Sequence, residues 1–313
     1  MTRAFLFPGQ GSQAVGMGKA LAEAFAPARE VFQEVDDALS QKLSKLMWEG
    51  PEEDLVLTEN AQPAIMAASL AVVRVLEKEM GLDIARHARL VAGHSLGEYS
   101  ALCAAGAFTL ADTARLLKTR GQAMQSAVPV GEGGMTALIG ADIEQAEAVA
   151  AEAAASGGTC VVANDNAPGQ IVISGTLDAL ARAADIAKAK GIKRAMPLAV
   201  SAPFHCPLMQ PAADKMAEAL AAVTIRPLAV PVLANVTAAE ANDPTTVRRL
   251  LVEQVTGRVR WRESILALKA LGVETTVEFG GKVLTGMVKR IDPSLAMIAL
   301  ETPADLEAFG KSL

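Results

Sequence analysis

The sequence predicts an α/β protein: a parallel sheet, covered by helices on both faces, that carries a small inserted unit. Three observations lead to that class. Short apolar runs alternate with longer amphipathic stretches up to residue 127 and again from residue 200, as parallel strands joined by crossover helices do. Over 128–199 the texture changes to four short strands and two alanine-rich helical stretches in the order β-α-β-β-α-β, the ferredoxin-like order. Finally, the apolar run Leu90-Val91-Ala92 leads into Gly93-His94-Ser95-Leu96-Gly97 and then into a helix-forming stretch. A strand, a tight turn and a helix in that succession suit an α/β sheet.

The first strand spans 4–7 and stops at Pro8, which has no N–H to give a ladder. Helices follow over 17–25 and 30–39, and a longer amphipathic one over 63–80 with Arg74, Glu77 and Lys78 on its polar side. Strand 90–92 is short and wholly apolar, as a buried parallel strand is; helices over 98–105 and 110–124 complete this part. In the insert a helix over 143–155 separates strands over 135–140 and 159–163. The turn-rich Asn164-Asp165-Asn166-Ala167-Pro168-Gly169 leads into a strand over 170–174, a helix over 177–190 and a strand over 193–198. The larger pattern resumes with a helix over 208–220, a strand over 230–235, helices over 246–256 and 262–270, a strand over 275–279 and a helix over 283–291. The expected division is therefore a core of 1–127 with 200–313 and an insert of 128–199.

A chain of 313 residues can bury a core without disulfide or metal support. Hydrophobic residues reach 51%, yet alanine supplies much of the excess, and no apolar run approaches the roughly 20 residues of a membrane span. The apolar segment at the start is too short for a secretory signal, so the expected location is the cytoplasm. Cys103, Cys160 and Cys206 are far apart and lack C-x-x-C spacing, which argues for reduced thiols and against a zinc site. The net charge of −6 argues against a general nucleic-acid binder.

The chemistry starts at Ser95. In G-x-S-x-G the glycines let the chain reverse without Cβ clashes while the hydroxyl stays outward. Such a hydroxyl needs a base, and the chain holds three histidines. His87, in Arg86-His87-Ala88-Arg89, reads as a solvated loop residue; His94, beside the nucleophile, reads as packing or pocket lining. His205 lies between Pro203 and Pro207, in a loop where insert and core meet. It is either the base or a cap on the following helix. Arg120 falls at the edge of the apolar stripe of helix 110–124, where a guanidinium needs an anion. Either an internal ion pair or a substrate carboxylate, gripped by the planar fork, meets that need. The loop Phe7-Pro8-Gly9-Gln10-Gly11-Ser12-Gln13 lacks the Lys-Ser/Thr ending of a phosphate loop. It is a plain connection, or it sets the Gln10 N–H beside that of Leu96 to hold an oxyanion.

Taken together, the 7–13 loop, Gly93-His94-Ser95-Leu96-Gly97-Glu98-Tyr99-Ser100-Ala101, Thr119-Arg120-Gly121, Pro203-Phe204-His205 and Gly281-Lys282-Val283-Leu284-Thr285-Gly286 resemble the malonyl-CoA:acyl carrier protein transacylases of fatty acid synthesis. The resemblance runs in order from Phe5 to about Leu300. It implies an α/β-hydrolase-like core with a ferredoxin-like insert, and a catalytic set of Ser95 as acyl acceptor, His205 as general base and Gln254 as the residue whose backbone carbonyl orients the imidazole. It further implies Gln10 and Leu96 as oxyanion donors, Arg120 as the partner of the malonyl carboxylate, and Phe204, Asn164 and Asn166 as substrate-binding residues. Phe204 is the residue type of malonyl-selective members.

The implied partners are malonyl-CoA and an acyl carrier protein, with no cofactor, no metal, no nucleic acid and no membrane, in a monomer. An acidic carrier calls for a basic face, for which Lys188, Lys190, Lys193 and Arg194, or Lys282, Lys289 and Arg290, are candidates. Gly257, and Phe279-Gly280-Gly281, depart from the family's usual proline and Gly-Pro-Gly. A serine esterase or thioesterase on the same core is the alternative enzyme, and a non-catalytic carrier-docking module the alternative class.

Overall fold

The computed structural model describes residues 2–200 and 202–313. Among the described residues the strands in chain order are β1 (Arg3–Phe7), β2 (Leu90–Gly93), β3 (Gly133–Ile139), β4 (Cys160–Ala167), β5 (Gln170–Thr176), β6 (Arg194–Pro197), β7 (Val232–Ala234), β8 (Ala239–Ala241), β9 (Thr275–Phe279) and β10 (Ala296–Leu300). Six of them form a mixed sheet in the order β10-β9-β1-β2-β7-β8, parallel except for the β7–β8 pair. The other four form an antiparallel sheet in the order β4-β5-β3-β6. No helix among the described residues is long and apolar enough to cross a membrane.

Side chains that alternate along a strand reach opposite faces of its sheet, so both faces of the six-stranded sheet are buried. From β1, Phe5 and Phe7 join Val91 and Phe279 in the larger core, while Ala4 and Leu6 pack with Trp261, Ile265 and Leu268 on the other side. In the four-stranded sheet, Leu138, Ile171 and Ile173 face the helices Ile143–Ala155 and Leu177–Ala189. Met135 and Val172, on its other face, line a cleft shared with the larger sheet's loops.

The structure differs from the sequence reading in several places. The long helix starts at Thr58 rather than Pro63 and runs to Glu79, with Pro63 inside it. Its first turn packs against Gly121, where a Cβ would sit 2.5 Å from Glu59 Cα, and such tertiary packing outweighs local propensity. The turn expected at 164–169 shrinks to its end, since β4 continues to Ala167 through two register shifts. Its backbone is captured by Val259, whose N–H donates to Ala163 and whose carbonyl accepts from Asp165. The buried Asp165 carboxylate also pairs with Arg262 at 2.8 Å. His87 ends a short helix, Ile84–His87, and bonds back to the Asp83 backbone instead of lying in a loop. Strands β8 and β10 and the final helix Pro303–Gly310 were unforeseen.

Candidate active site

Ser95 stands between β2 and the helix Gly97–Ala104 with φ 53°, a left-handed conformation that costs a non-glycine residue about 1–2 kcal/mol. Sterics explain the flanking glycines. A Cβ on Gly93 would overlap the Gly97 carbonyl, and a Cβ on Gly97 would overlap the Phe7 carbonyl. Asn235, just past β7, holds the turn: its Oδ1 accepts from Ser95 N–H and its Nδ2 donates to the Gly93 carbonyl, both at 2.7 Å. Buried bonds of this kind contribute roughly 1 kcal/mol each, which offsets the strain.

His205 has φ 57° in the loop before the short helical turn Pro207–Met209. Its Nε2 lies 2.8 Å from Ser95 Oγ and its Nδ1 2.9 Å from the Gln254 carbonyl. A carbonyl only accepts, so Nδ1 carries the hydrogen and Nε2 is left to accept from the hydroxyl. Burial, and then the charge of Arg120, push the imidazole pKa down to about 3. The ring is neutral at any physiological pH.

Arg120, 1% exposed, projects from the helix Leu110–Ser126. Nη1 donates to Gln62 Oε1 at 2.8 Å; Nη2 donates to Gln254 Oε1 at 2.8 Å and to Ser95 Oγ at 3.1 Å. All three acceptors are neutral, so an internal ion pair is not what satisfies it, and the guanidinium stacks 5.7 Å from the Tyr99 ring centre. Nε has no hydrogen-bond partner among the described residues. The cation touches the Ser95 hydroxyl itself.

These groups line a cleft of about 470 Å³ with Gln10, Leu96, Phe204, Asn164, Asn166 and His94. Gln10 and Leu96 flank Ser95 on neighbouring loops; among the described residues neither backbone N–H donates to another group of the chain. Gly9 permits this approach, since a Cβ there would lie 2.6 Å from the His94 carbonyl. The Gln10 side chain accepts from Thr58 Oγ1, which accepts from Gln62 Nε2, so the loop is tied to Arg120 through neutral groups. Asn166 Oδ1 meets His94 Nε2 at 2.7 Å, and that ring also packs on Trp261. No group of three or more metal-ligating side chains occurs among the described residues.

A serine hydroxyl within hydrogen-bond reach of a neutral histidine, beside one cavity, can accept an acyl group. Residues 4–283 match the model of the acyl transferase domain. The chain belongs to the acyl transferase domain family. Within this family it is 47% identical, over 97% of its length and 95% of the relative's, to the malonyl CoA-acyl carrier protein transacylase of Bacillus subtilis. It is 45% identical to that of Escherichia coli, over 97% of both chains. Among solved acyl transferase structures, the acyl-carrier-protein S-malonyltransferase of Bartonella henselae superposes with a TM-score of 0.97 at 54% identity, covering 100% of this chain and 99% of that one. A malonyl-transacylase in complex with a type II PKS acyl-carrier protein superposes at 0.95, with 41% identity and 100% of both chains covered.

Several residues at this acyl transferase site escaped the sequence reading. Asn235, Gln62 and Glu98 are buried polar side chains that meet the site from distant elements. Gln254 was expected through its backbone alone, yet its side chain bonds Arg120, Glu98 and the Ser95 carbonyl. Its place on the buried face of the helix Pro244–Thr256 was the available signal. Of the basic clusters, Lys190 pairs with Glu152 and Lys282 with Glu301.

Proposed function

We propose that the chain moves a malonyl group from malonyl-CoA to the phosphopantetheine thiol of an acyl carrier protein by way of an ester on Ser95. The carrying observation is the position of Ser95 Oγ, between His205 Nε2 and Arg120 Nη2. The proposed frame is an α/β-hydrolase-like core of 1–127 and 200–313 with a ferredoxin-like insert at 128–199, the latter supported by the order β4-β5-β3-β6. It acts in the cytoplasm as a monomer without a cofactor.

In the first half-reaction Ser95 Oγ attacks the thioester carbon while its proton passes to His205 Nε2. The Gln10 and Leu96 N–H groups stabilise the oxyanion. When it collapses, the C–S bond breaks and the histidine returns the proton to the departing CoA sulfur. In the second half the carrier thiol gives its proton to His205 and attacks the ester carbon, and Ser95 Oγ leaves with that proton. The Gln254 carbonyl keeps the imidazole in the required tautomer and steadies its charged form.

Arg120 reads the free carboxylate. A paired malonyl carboxylate gains about 3 kcal/mol over an acetyl group that leaves the guanidinium without an anion, or roughly 100-fold in discrimination. Phe204, buried at the cleft wall, is the residue placed to select against an α-methyl group. Asn164 and Asn166 bind at the insert side of the cleft. An esterase has no use for a cation buried beside its nucleophile, which disfavours that alternative. Initial rates at several fixed carrier concentrations test the reading: parallel reciprocal plots and malonyl-carrier product support it. Free malonate as the main product, with or without carrier, contradicts it.

A further inference from the structure

Behind the nucleophile lies a carboxyl group that no step of the transfer uses. Glu98 lies in the first turn of the helix Gly97–Ala104, directly after the elbow, and is 1% exposed. Its Oε2 accepts from Gln254 Nε2 at 2.9 Å and from the Asn235 N–H at 3.1 Å. Gln254 Nε2 also donates to the Ser95 carbonyl at 3.0 Å. Both hydrogens of the amide nitrogen are therefore engaged, and Oε1 must point the other way, where it accepts from Arg120 Nη2 at 2.8 Å.

The two ends of a primary amide have nearly the same shape, and only their hydrogen-bond partners decide which end faces where. Turned over, the Gln254 amide would set its NH₂ against the guanidinium. We infer that Glu98 is a positioning residue for carboxylate recognition, locking the Gln254 amide with its oxygen toward Arg120 and so fixing the guanidinium in the cleft. The inference rests on the reading that Arg120 binds the substrate carboxylate. What the amide needs from Glu98 is an acceptor, not a charge. Burial raises the Glu98 pKa to about 7. A glutamine at this position also supplies the acceptor.

The test compares the malonyl-CoA to acetyl-CoA ratio of kcat/KM in Glu98→Ala, Glu98→Gln, Gln254→Met and Arg120→Ala, and in the Glu98→Ala/Gln254→Met pair. Glu98→Ala is expected to lower the preference about 10-fold, more through the malonyl KM than through kcat. Glu98→Gln should keep it, and the double variant should lose no more than Gln254→Met alone. A folded Glu98→Ala protein with full preference, beside an Arg120→Ala protein that has lost it, overturns the role of Glu98 alone. Full preference in Arg120→Ala overturns the underlying reading as well. If Glu98→Ala does not fold, Gln254→Met carries the test, because it keeps the backbone carbonyl that bonds His205: full preference there overturns the proposal.

Discussion

Arg120 Nη2 donates to Ser95 Oγ at 3.1 Å, so the guanidinium and the hydroxyl are in direct contact. The same oxygen lies 2.8 Å from His205 Nε2. One hydroxyl thus accepts from a cation and donates to a neutral base, which favours its conversion to a nucleophile. Arg120 Nε has no hydrogen-bond partner among the described residues.

Ser95→Ala should lower transfer about 10⁴-fold or more, because the base has nothing left to activate. Arg120 keeps its bonds to Gln62 and Gln254, so the melting temperature should hardly move. A transfer assay paired with a thermal melt checks both halves of this expectation.

Arg120→Ala should erase the roughly 100-fold preference for malonyl over acetyl thioesters. Arg120→Lys should restore only part of it, since a single ammonium lacks the planar fork. Competition between the two acyl-CoA substrates reads the ratio directly, and an unaltered ratio in both variants would contradict the assignment.

The low pKa of His205 links stability to pH. The folded ring titrates at about 3 and an unfolded one near 6.5, so between those values the unfolded chain binds the proton first. Stability from this source falls as pH drops from about 6.5 toward 3. Relative to the wild type, His205→Gln should therefore gain stability across that window, as measured by urea unfolding at several pH values. A constant difference would argue against a histidine held neutral. Glu98 acts with the opposite sign: its raised folded pKa gives stability that is complete below about 4.5 and is lost as pH rises through about 7.

Gly97→Ala should destabilise the protein by about 3 kcal/mol or more, since the new methyl group would meet the Phe7 carbonyl, a backbone atom that cannot step aside. Gly286, with no heavy atom near its missing Cβ, is the control: alanine there should be neutral or mildly stabilising inside its helix. Paired melting curves decide, and equal shifts in the two variants would refute the steric account of the elbow.

How far the site could be read from sequence follows from the range of the forces involved. The elbow was legible because its need for small residues is local, and His205 because so few histidines compete. The oxyanion pair and an anion for Arg120 were each one of two readings of the residues, between which the family resemblance chose, and only that resemblance pointed to the Gln254 carbonyl. Gln62 reaches Arg120 across 58 positions and Asn235 reaches Ser95 across 140. No local pattern announces such pairings, because burial of the polar groups is set by tertiary approach. The extension of β4 was hidden for the same reason: Asn164 and Asp165 read as turn formers until Val259 and Arg262 engage them. The departure at Gly257 leaves the Gln254 carbonyl within 2.9 Å of His205.

The central claim, that a cation beside the nucleophile chooses the acyl group, is tested most directly by single-turnover labelling followed by peptide mass spectrometry. The wild type should carry one malonyl group on the peptide containing Ser95, formed about 100-fold faster than the acetyl adduct, and Arg120→Ala should form both at similar rates. Labelling at another residue, or equal rates in the wild type, would contradict the account.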